Sequence, residues 1–259
     1  MSTHDKTSTS ARTDGVRSVT RAAELLQLFD AHHPTRTLRE LTELTGLPKT
    51  TVVRLLTTLT SLGLVASTGE TVYSPGAGFL RWVRLSQSLW EVNAETRAVM
   101  RDLVDECGET ANLYVRQDTH RVCIAQEEGT ATVRSVVEVG VAMPLTAGAA
   151  SKVLLGGVPA SVFDDLAAKE AQVDIEALKG QVAAVSETGY AVTHGEREFG
   201  ASSVAAPVRS KDGRIIAALS ASGPTSRFTA ERVGDYLPAV TRAAAQITNS
   251  GLGTVEAFL

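Results

Sequence analysis

TLRELTELTGLPKTTVVRLLTTLTSLG, residues 37–63, is the stretch that decides how the first part of this chain folds. Thr37 and Glu40 form a Thr-x-x-Glu capping box, in which each side chain can satisfy a free amide at the start of a helix. Gly46 suits the left-handed residue that ends such a helix, and Pro48 suits the first turn of the next. The stretch therefore predicts two helices joined by a tight turn.

The second of these helices has an apolar face and a polar face. Its apolar residues predict a buried side composed of Val52, Val53, Leu55, Leu56, Leu59 and Leu62. Small hydroxyls and one arginine fall on the opposite side, at Thr50, Arg54, Thr57, Thr58 and Ser61. Such a face carries no acid, so it can approach phosphates and base edges without repulsion. The pattern is typical of a helix-turn-helix with a DNA-recognition helix.

The alternative is an ordinary pair of helices whose outer face is merely solvated. Threonine is a mediocre helix former, so a face rich in it calls for a reason beyond helicity. Residues 64–74 then predict a strand, a turn at residues 68–70 and a second strand, which is the wing of a winged helix. The predicted DNA-contact residues are Arg21, Thr37, Lys49, Thr50, Thr51, Arg54, Thr57, Thr58, Thr68 and Tyr73.

Length and composition indicate one large or two ordinary core-forming domains. The chain has 259 residues, 43% of them hydrophobic, and no apolar run approaching the ~20 residues of a membrane span. The polar N-terminus has no signal-peptide pattern, so we expect a cytoplasmic protein. Cys107 and Cys123 are expected to be buried free thiols. His32 and His33 lack a third ligand at suitable spacing, so neither a metal nor a cofactor is expected.

Charge is distributed unevenly along the chain. The net charge is −4, but residues 1–80 hold eight Lys/Arg against seven Asp/Glu, and the remainder carries the acidic excess. The small asymmetry predicts DNA binding as a dimer through a few placed cations rather than through a broad basic patch.

The pattern further along the chain predicts four successive regions. Residues 1–14 are expected to be a disordered tail, and residues 15–76 the winged helix-turn-helix domain, which begins with a helix over residues 18–31. Residues 77–90 carry Trp82 and Trp90 among many apolar side chains, which predicts a linker and dimerisation helix within a mostly helical stretch over residues 76–101.

Residues 91–254 are expected to form a second domain, in which strands alternate with helices. The predicted strands include residues 111–117, 122–127, 133–137, 190–193, 203–208 and 215–222, with residues 140–144 expected to be a loop. Helices are predicted over residues 93–107, 147–155, 162–168, 175–188 and 228–249. An antiparallel sheet covered by helices gives an α+β, sensor-like domain.

Six stretches, in this order, resemble the IclR family of bacterial transcription regulators: SVTRAAELLQLF, LPKTTVVRLLTTLTSLGLV, CGETANLYV, PLTAGAASKVLL, GYAVTHGEREFG and SSVAAPVRSKDGRIIAALSASGP. The resemblance covers residues 15–253. It implies an N-terminal winged helix-turn-helix joined by a linker helix to a C-terminal effector-binding domain with a GAF/profilin-like fold. It also implies dimers, often paired into tetramers on a near-palindromic operator in double-stranded DNA, and a small-molecule effector, frequently an organic acid.

The resemblance also implies an effector pocket, in which backbone amides at a helix start and serine hydroxyls could hold a carboxylate. The matching positions are Met143, Ala149, Ala150, Thr193, Ala201, Ser203, Ser220 and Ser222, with His194 beside them. Ser220 and Ser222 could instead simply alternate along a strand. Family members that bind two- and three-carbon keto acids resemble one another in having Asp and Cys at the positions of Thr193 and Ser203. This departure argues against those ligands and favours a more anionic or larger effector.

The sequence leaves two other functional classes open as alternatives. The chain has no P-loop spacing, G-x-S-x-G, S-x-x-K or H-E-x-x-H motif, so no enzyme is expected. A small hydrolase using His194 with a serine is a minor alternative. The main alternative is a metabolite-binding module whose winged helix mediates protein contacts.

Overall fold

The computed structural model describes residues 16–69, 71–170 and 172–259, and it divides into two compact units between Gln87 and Ser88. The predicted tail of residues 1–14 lies outside the described residues, as does Glu70 of the predicted wing turn. Within the described ranges, no helix has both the length and the apolar character needed to cross a membrane.

The first unit is built on three helices that pack around one apolar core. The predicted capping box is confirmed, because Glu40 Oε2 accepts the Thr37 amide at 2.7 Å while Thr37 Oγ1 accepts the Glu40 amide at 3.2 Å. Gly46 adopts the left-handed conformation (φ 62°) that ends the helix, as predicted. The helices are α1 (Arg17–Leu26), α2 (Leu38–Thr45) and α3 (Lys49–Ser61), with Leu25, Leu41, Val52, Leu56 and Leu59 buried between them.

Three details of this unit differ from the predictions. The first helix ends at Leu26 rather than near residue 31, because the amides of Leu28 and Phe29 turn back to carbonyls three residues earlier. Pro48 is the residue before α3 rather than part of its first turn. Val53 and Leu62 are 38% and 63% exposed, so predicting them as core was wrong. The buried seam of α3 is narrower than its apolar content suggested.

The wing is a hairpin that gains a third strand from the turn before α2. Strand β2 (Val65–Thr68) pairs with β3 (Val72–Pro75), as predicted. The two-residue strand β1 (Arg36–Thr37) pairs with the other edge of β3 and was not predicted. The Leu38 amide also donates to the Thr71 carbonyl at 2.9 Å. These bonds tie the wing to the start of the helix-turn-helix.

Residues 76–101, predicted as mostly helical, form two helices with a break between them. Helix α4 (Phe79–Trp90) contains the boundary between the units, and α5 (Ala94–Cys107) begins where the Asn93 side chain accepts the Thr96 amide at 2.8 Å. Trp90 packs against Phe258 with ring centroids 5.8 Å apart, whereas Trp82 is 56% exposed.

The second unit has three layers around a six-stranded antiparallel sheet with spatial order β6-β5-β4-β9-β8-β7. One face of the sheet packs on α5 and α9, and the other packs on α6 and α8. This arrangement confirms the α+β fold class. The strands are β4 (Thr110–Gln117), β5 (His120–Glu127), β6 (Ala142–Pro144), β7 (Ala191–His194), β8 (Ala201–Arg209) and β9 (Ile215–Pro224). The remaining helices are α6 (Ala149–Leu154), α7 (Ala160–Lys169), α8 (Ile175–Thr188) and α9 (Ala230–Ser250).

The prediction of a strand over residues 133–137 was wrong, and the edge strand is β6, within the predicted loop. Val133 and Val136 are exposed while Val137 is buried, so the segment lacks the alternating buried face of a strand. The Val137 carbonyl accepts a hydrogen bond from Gln126 Nε2 at 2.6 Å, and the Val133 carbonyl accepts one from Arg227. Side chains therefore occupy backbone carbonyls that would otherwise accept hydrogen bonds from a neighbouring strand.

Candidate functional site

The exposed face of α3 presents two cations without ion-pair partners. Lys49, Thr50 and Arg54 are exposed and Thr51 is half-buried. Among the described residues, neither Lys49 nor Arg54 has a carboxylate within 4.0 Å, in contrast to Arg39 on α2, which pairs with Glu43 at 2.7 Å. The structure therefore leaves both cations available to phosphates or base edges.

The hydroxyls further along α3 are already engaged as donors. Thr57 Oγ1 donates to the Val53 carbonyl at 2.9 Å, and Thr58 Oγ1 donates to the Arg54 carbonyl at 3.0 Å. Both side chains are exposed, so they present methyl groups and acceptor lone pairs outward rather than free hydroxyl protons. Such groups suit contacts with thymine methyls and base donors better than contacts with phosphates.

The remaining predicted DNA-contact residues lie in three different settings. Thr37 is half-buried and its hydroxyl serves the capping box. Arg21 is half-buried on α1, and Thr68 is exposed at the end of β2. Tyr73 packs against the core of the first unit. The structure thus brings the predicted residues of α3 together on one surface and leaves Tyr73 in a supporting position.

The second unit contains a cleft between the sheet and the start of α6. It collects residues that are distant in the sequence, because β7, β8 and β9 are neighbours in the sheet and place Thr193, Ser203 and Ser222 in register. Seven of the nine predicted effector residues line it: Ala149, Ala150, Thr193, Ala201, Ser203, Ser220 and Ser222.

Two predicted effector residues lie outside this lining. The Met143 thioether instead contacts two arginines of the lining, Arg121 at 3.9 Å and Arg197 at 3.6 Å. His194 alternates with Thr193 along β7, and its Nδ1 lies 3.1 Å from the hydroxyl of Ser202, which in turn contacts Thr225 at 2.8 Å. The His194–Ser202 pair therefore ties β7 and β8 to the segment after β9.

The backbone amides predicted to hold a carboxylate at the start of α6 already have partners within the chain. The Ala149 amide donates to Thr193 Oγ1 and the Gly148 amide donates to Glu196 Oε2, both at 3.1 Å. Glu196 also forms a short ion pair with the buried Lys152. Since the protein's own groups occupy these donors, an incoming anion needs other partners.

Such partners are two arginines that sequence reasoning missed. Arg121 on β5 is 3% exposed, and it and Arg197 are the charged members of the described lining. The available sequence signal was an arginine directly before the apolar run VCIA of β5, where a buried cation has a reason to be kept. The lining residues absent from the predictions are Tyr114, Arg121, Ser135, Val137, Gly148, Arg197 and Ser202.

Arg121 is held entirely by uncharged groups. Its Nη1 donates to the Ala147 carbonyl at 2.6 Å and to Ser151 Oγ, and its guanidinium lies 5.3 Å from the Tyr114 ring centroid. Its Nε is buried and has no partner among the described residues. Burial lowers the pKa of Arg121, and the charge of Arg197 lowers that pKa further. The cleft therefore holds a desolvated cation that lacks a counterion.

The buried Glu109 carboxylate of this unit, in contrast, has charged and neutral partners. Glu109 is buried and accepts two bonds from Arg227, at 2.6 and 2.7 Å, and one from the Tyr236 hydroxyl. Cys107 and Cys123 are free and buried, as predicted, and burial raises the pKa of these thiols to about 11 and about 12. Neutral, enclosed thiols are unreactive. Arg121 thus differs from its surroundings in lacking an ionic partner.

Both units of the chain match domains of known proteins. Residues 18–69 match the IclR helix-turn-helix domain, and residues 86–249 match the bacterial transcriptional regulator IclR C-terminal domain. The chain is 30% identical over 240 residues to the HTH-type transcriptional regulator KipR of Bacillus subtilis, covering 90% of this chain and 96% of that protein.

Solved structures agree with the sequence matches. An IclR-family regulator from Rhodococcus sp. is 45% identical, with 98% of this chain and 100% of that chain covered and a TM-score of 0.63. An IclR homologue from Microbacterium hydrocarbonoxydans, crystallised with 4-hydroxybenzoate, shares the fold at 21% identity, with a TM-score of 0.68 and coverage of 93% and 99%.

A winged helix-turn-helix unit followed by an α+β unit whose cleft is lined by hydroxyl groups and two arginines defines a DNA-binding transcriptional regulator with an effector-binding domain. The chain belongs to the IclR family of bacterial transcriptional regulators.

Proposed function

We propose that this regulator responds to a small organic anion bound in the cleft of the second unit. The observation that carries the proposal is the buried guanidinium of Arg121, which faces the cleft with no carboxylate among the described lining residues. Removing a cation from water is costly unless a counterion compensates it, and a bound carboxylate would supply that counterion. The carboxylate in 4-hydroxybenzoate, bound by a relative, is compatible with this chemistry.

The hydroxyl groups opposite the arginines would orient the rest of the ligand. Thr193 Oγ1 and Ser203 Oγ are 3.1 Å apart, and Ser220 Oγ and Ser222 Oγ are 3.4 Å apart. These hydroxyls can donate to ligand oxygens or accept from ligand hydroxyls. The small side chains of Ala149 and Ala150 leave space at the start of α6 that larger side chains would fill.

A thermal-shift screen of the full chain against carboxylic acids tests the proposal. A ligand at 100 times its Kd should stabilise the protein by roughly 2.7 kcal/mol. Arg121→Gln should weaken binding of any hit by roughly tenfold to a hundredfold, because a charge-assisted hydrogen bond is lost. The matched control is Arg116→Gln, since Arg116 pairs with Arg121 in the β4–β5 ladder but does not line this cleft. Equal weakening by both variants would contradict the assignment of Arg121.

On DNA, we propose a dimer, or a tetramer made of two dimers, that places one α3 per half-site of a near-palindromic operator. Lys49, Thr50, Thr51 and Arg54 would approach base edges and phosphates, with Thr68 of the wing beside them. Matching of the first unit to the IclR helix-turn-helix domain favours this role over protein contacts. Effector binding would act through its different affinities for two arrangements of the dimer.

We propose that the protein acts in the cytoplasm. We also propose that α4 forms the contact between the two subunits of the dimer. Leu80, Trp82, Val83 and Leu89 are exposed on this helix, more apolar surface than a solvated helix carries. Sedimentation analysis of the Trp82→Ser variant should show that the dimer dissociates into monomers at micromolar protein concentration. A stable dimer in the variant would remove α4 from the interface.

A further inference from the structure

We propose that the effector is a compact dianion, such as a dicarboxylate, clamped between the guanidinium groups of Arg121 and Arg197. The inference rests on the proposed function, that an organic anion occupies the cleft, and specifies its charge. It follows from the two arginines that line the cleft and from the distance between them.

The first cation, Arg121, has donor capacity that the protein leaves unused. Two buried side-chain donors lack a partner among the described residues, Arg121 Nε and Asn112 Nδ2. Asn112 lies on β4 directly opposite Ser220, which lines the cleft. Both unused donors are therefore on the β4–β5 hairpin beside the same hollow, where a ligand with several acceptor oxygens would satisfy them.

The second cation comes from the loop between β7 and β8. Arg197 lies between Gly195 and Gly200, both in the left-handed region (φ 67° and 85°), so the loop turns sharply on either side of it. Its Nη2 meets Glu198 at 3.3 Å, but that carboxylate is largely exposed, and such a pair is weak in water. Arg197 therefore remains available to an anion on its cleft side.

The sulfur atom of Met143 contacts both guanidinium groups. Met143 Sδ is 3.9 Å from Arg121 Nη2 and 3.6 Å from Arg197 Nη1, so the two nitrogens are at most about 7.5 Å apart, within the range of strong charge coupling. A thioether is a weak acceptor that carries no charge, so it does not neutralise either group. The chain thus places two like charges around one small space.

The neighbouring acid does not compensate these charges. Glu196 is engaged by Lys152 and by the Gly148 amide, at the start of α6. A monoanion in the cleft would neutralise one arginine and leave the other facing it, whereas a dianion would neutralise both. The two guanidinium nitrogens on either side of Met143 are at most about 7.5 Å apart, and this short separation favours a compact molecule.

The test is isothermal titration of the full chain with matched pairs of acids at constant ionic strength. The pairs are succinate with butyrate, glutarate with valerate, and phthalate with benzoate, which differ within each pair in one carboxylate. At least one dicarboxylate should bind tenfold or more tightly than its monocarboxylate partner, as expected for an additional charge-assisted contact.

The variant Arg197→Gln should reduce that preference to less than about threefold, because the second carboxylate loses its partner. Arg214→Gln is the matched control. Arg214 also lies in a hairpin turn and also pairs with a nearby acid, Asp212 at 2.8 Å, but it does not line the cleft. The control should keep the full preference for the dicarboxylate.

The outcomes separate the two proposals. Equal binding of both members of every pair, with loss of both on Arg121→Gln, overturns the dianion and leaves the anion-effector function standing. A preference that survives Arg197→Gln also overturns the clamp. If none of the six acids binds the folded protein at millimolar concentration, both the dianion and the anion effector are wrong.

Discussion

The outer face of α3 and the cleft of the second unit each carry an arginine, but in opposite surroundings. Arg54 is exposed on a helix face with small hydroxyl side chains. Arg121 is 3% exposed and held by carbonyls, a serine hydroxyl and a tyrosine ring. Water screens the first charge, whereas the second is desolvated before any ligand arrives.

The difference shows how one side chain can serve two kinds of recognition. A solvated arginine loses little by remaining unpaired, so the surface can leave DNA and search again. A buried arginine without a counterion is costly in the free protein, so binding its ligand removes a penalty as well as forming a contact. That cost is a reason for the ligand-free and ligand-bound states to differ in free energy, which regulation requires.

The largest expected contrast is in salt dependence. If the dimer neutralises about six phosphates, its affinity for DNA upstream of its own gene should fall on the order of 10³-fold between 50 and 200 mM salt. Affinity for a cleft-bound carboxylate should change by less than about fivefold over the same range, since buried charges are screened weakly. Fluorescence anisotropy measures the DNA affinity and calorimetry measures the carboxylate affinity. An equal dependence of both affinities on salt would contradict the comparison.

Removing one exposed arginine should have the next largest effect. Arg54→Ala should weaken operator binding on the order of a hundredfold or more, since each half-site loses a contact worth roughly 1–3 kcal/mol. Effector affinity should be unchanged. Arg116→Ala removes the same charge in the second unit and should leave DNA affinity intact. Damage to both functions by Arg54→Ala, in a folded protein, would mean that the two units do not divide the work.

A paired and an unpaired buried arginine should respond differently to the same substitution. Arg227→Gln strands the buried Glu109 carboxylate, so the free energy of unfolding should fall by roughly 3 kcal/mol. Arg121→Gln removes a buried charge without a carboxylate partner, so stability without ligand should stay the same or rise. Urea denaturation followed by circular dichroism measures both. A large loss for Arg121→Gln would show that its neutral partners suffice to compensate the charge.

The smallest predicted effect concerns a single hydroxyl of the cleft. Ser222→Ala should weaken effector binding by roughly twofold to tenfold, the range expected for one neutral hydrogen bond. DNA binding without effector should not change. Ser210→Ala provides the control, because that serine serves the β8–β9 turn instead. An equal loss in the control would indicate a general effect on folding.

Local sequence signals predicted the first unit well because its structure depends on local chemistry. Caps, the left-handed Gly46 and helical periodicity each act within a few residues. The failures involve distant partners. Strand β1 forms because β3 offers a free edge, and residues 133–137 do not form a strand because Gln126 and Arg227 reach their carbonyls. Neither partner is visible from the segment itself.

For the cleft, the elements that line it were predictable, but the residues that carry its charge were not. Seven predicted residues line it, because the family resemblance identifies which strands and which helix meet. Arg121 was missed because an arginine in a strand is ordinarily expected to reach solvent, and Arg197 was missed because it lies in a loop. The occupied amides at α6 were missed because Glu196 arrives there from a loop 48 residues further along the chain.

The three-stranded wing has a consequence for the DNA that the protein can use. Strand β1 and the Leu38–Thr71 bond join the wing to the residues that start α2, so wing and reading helix keep a constant separation. If α3 and Thr68 contact DNA as proposed, the base pairs that each of them reaches within a half-site must keep one fixed distance. An insertion inside a half-site of the operator should therefore abolish binding.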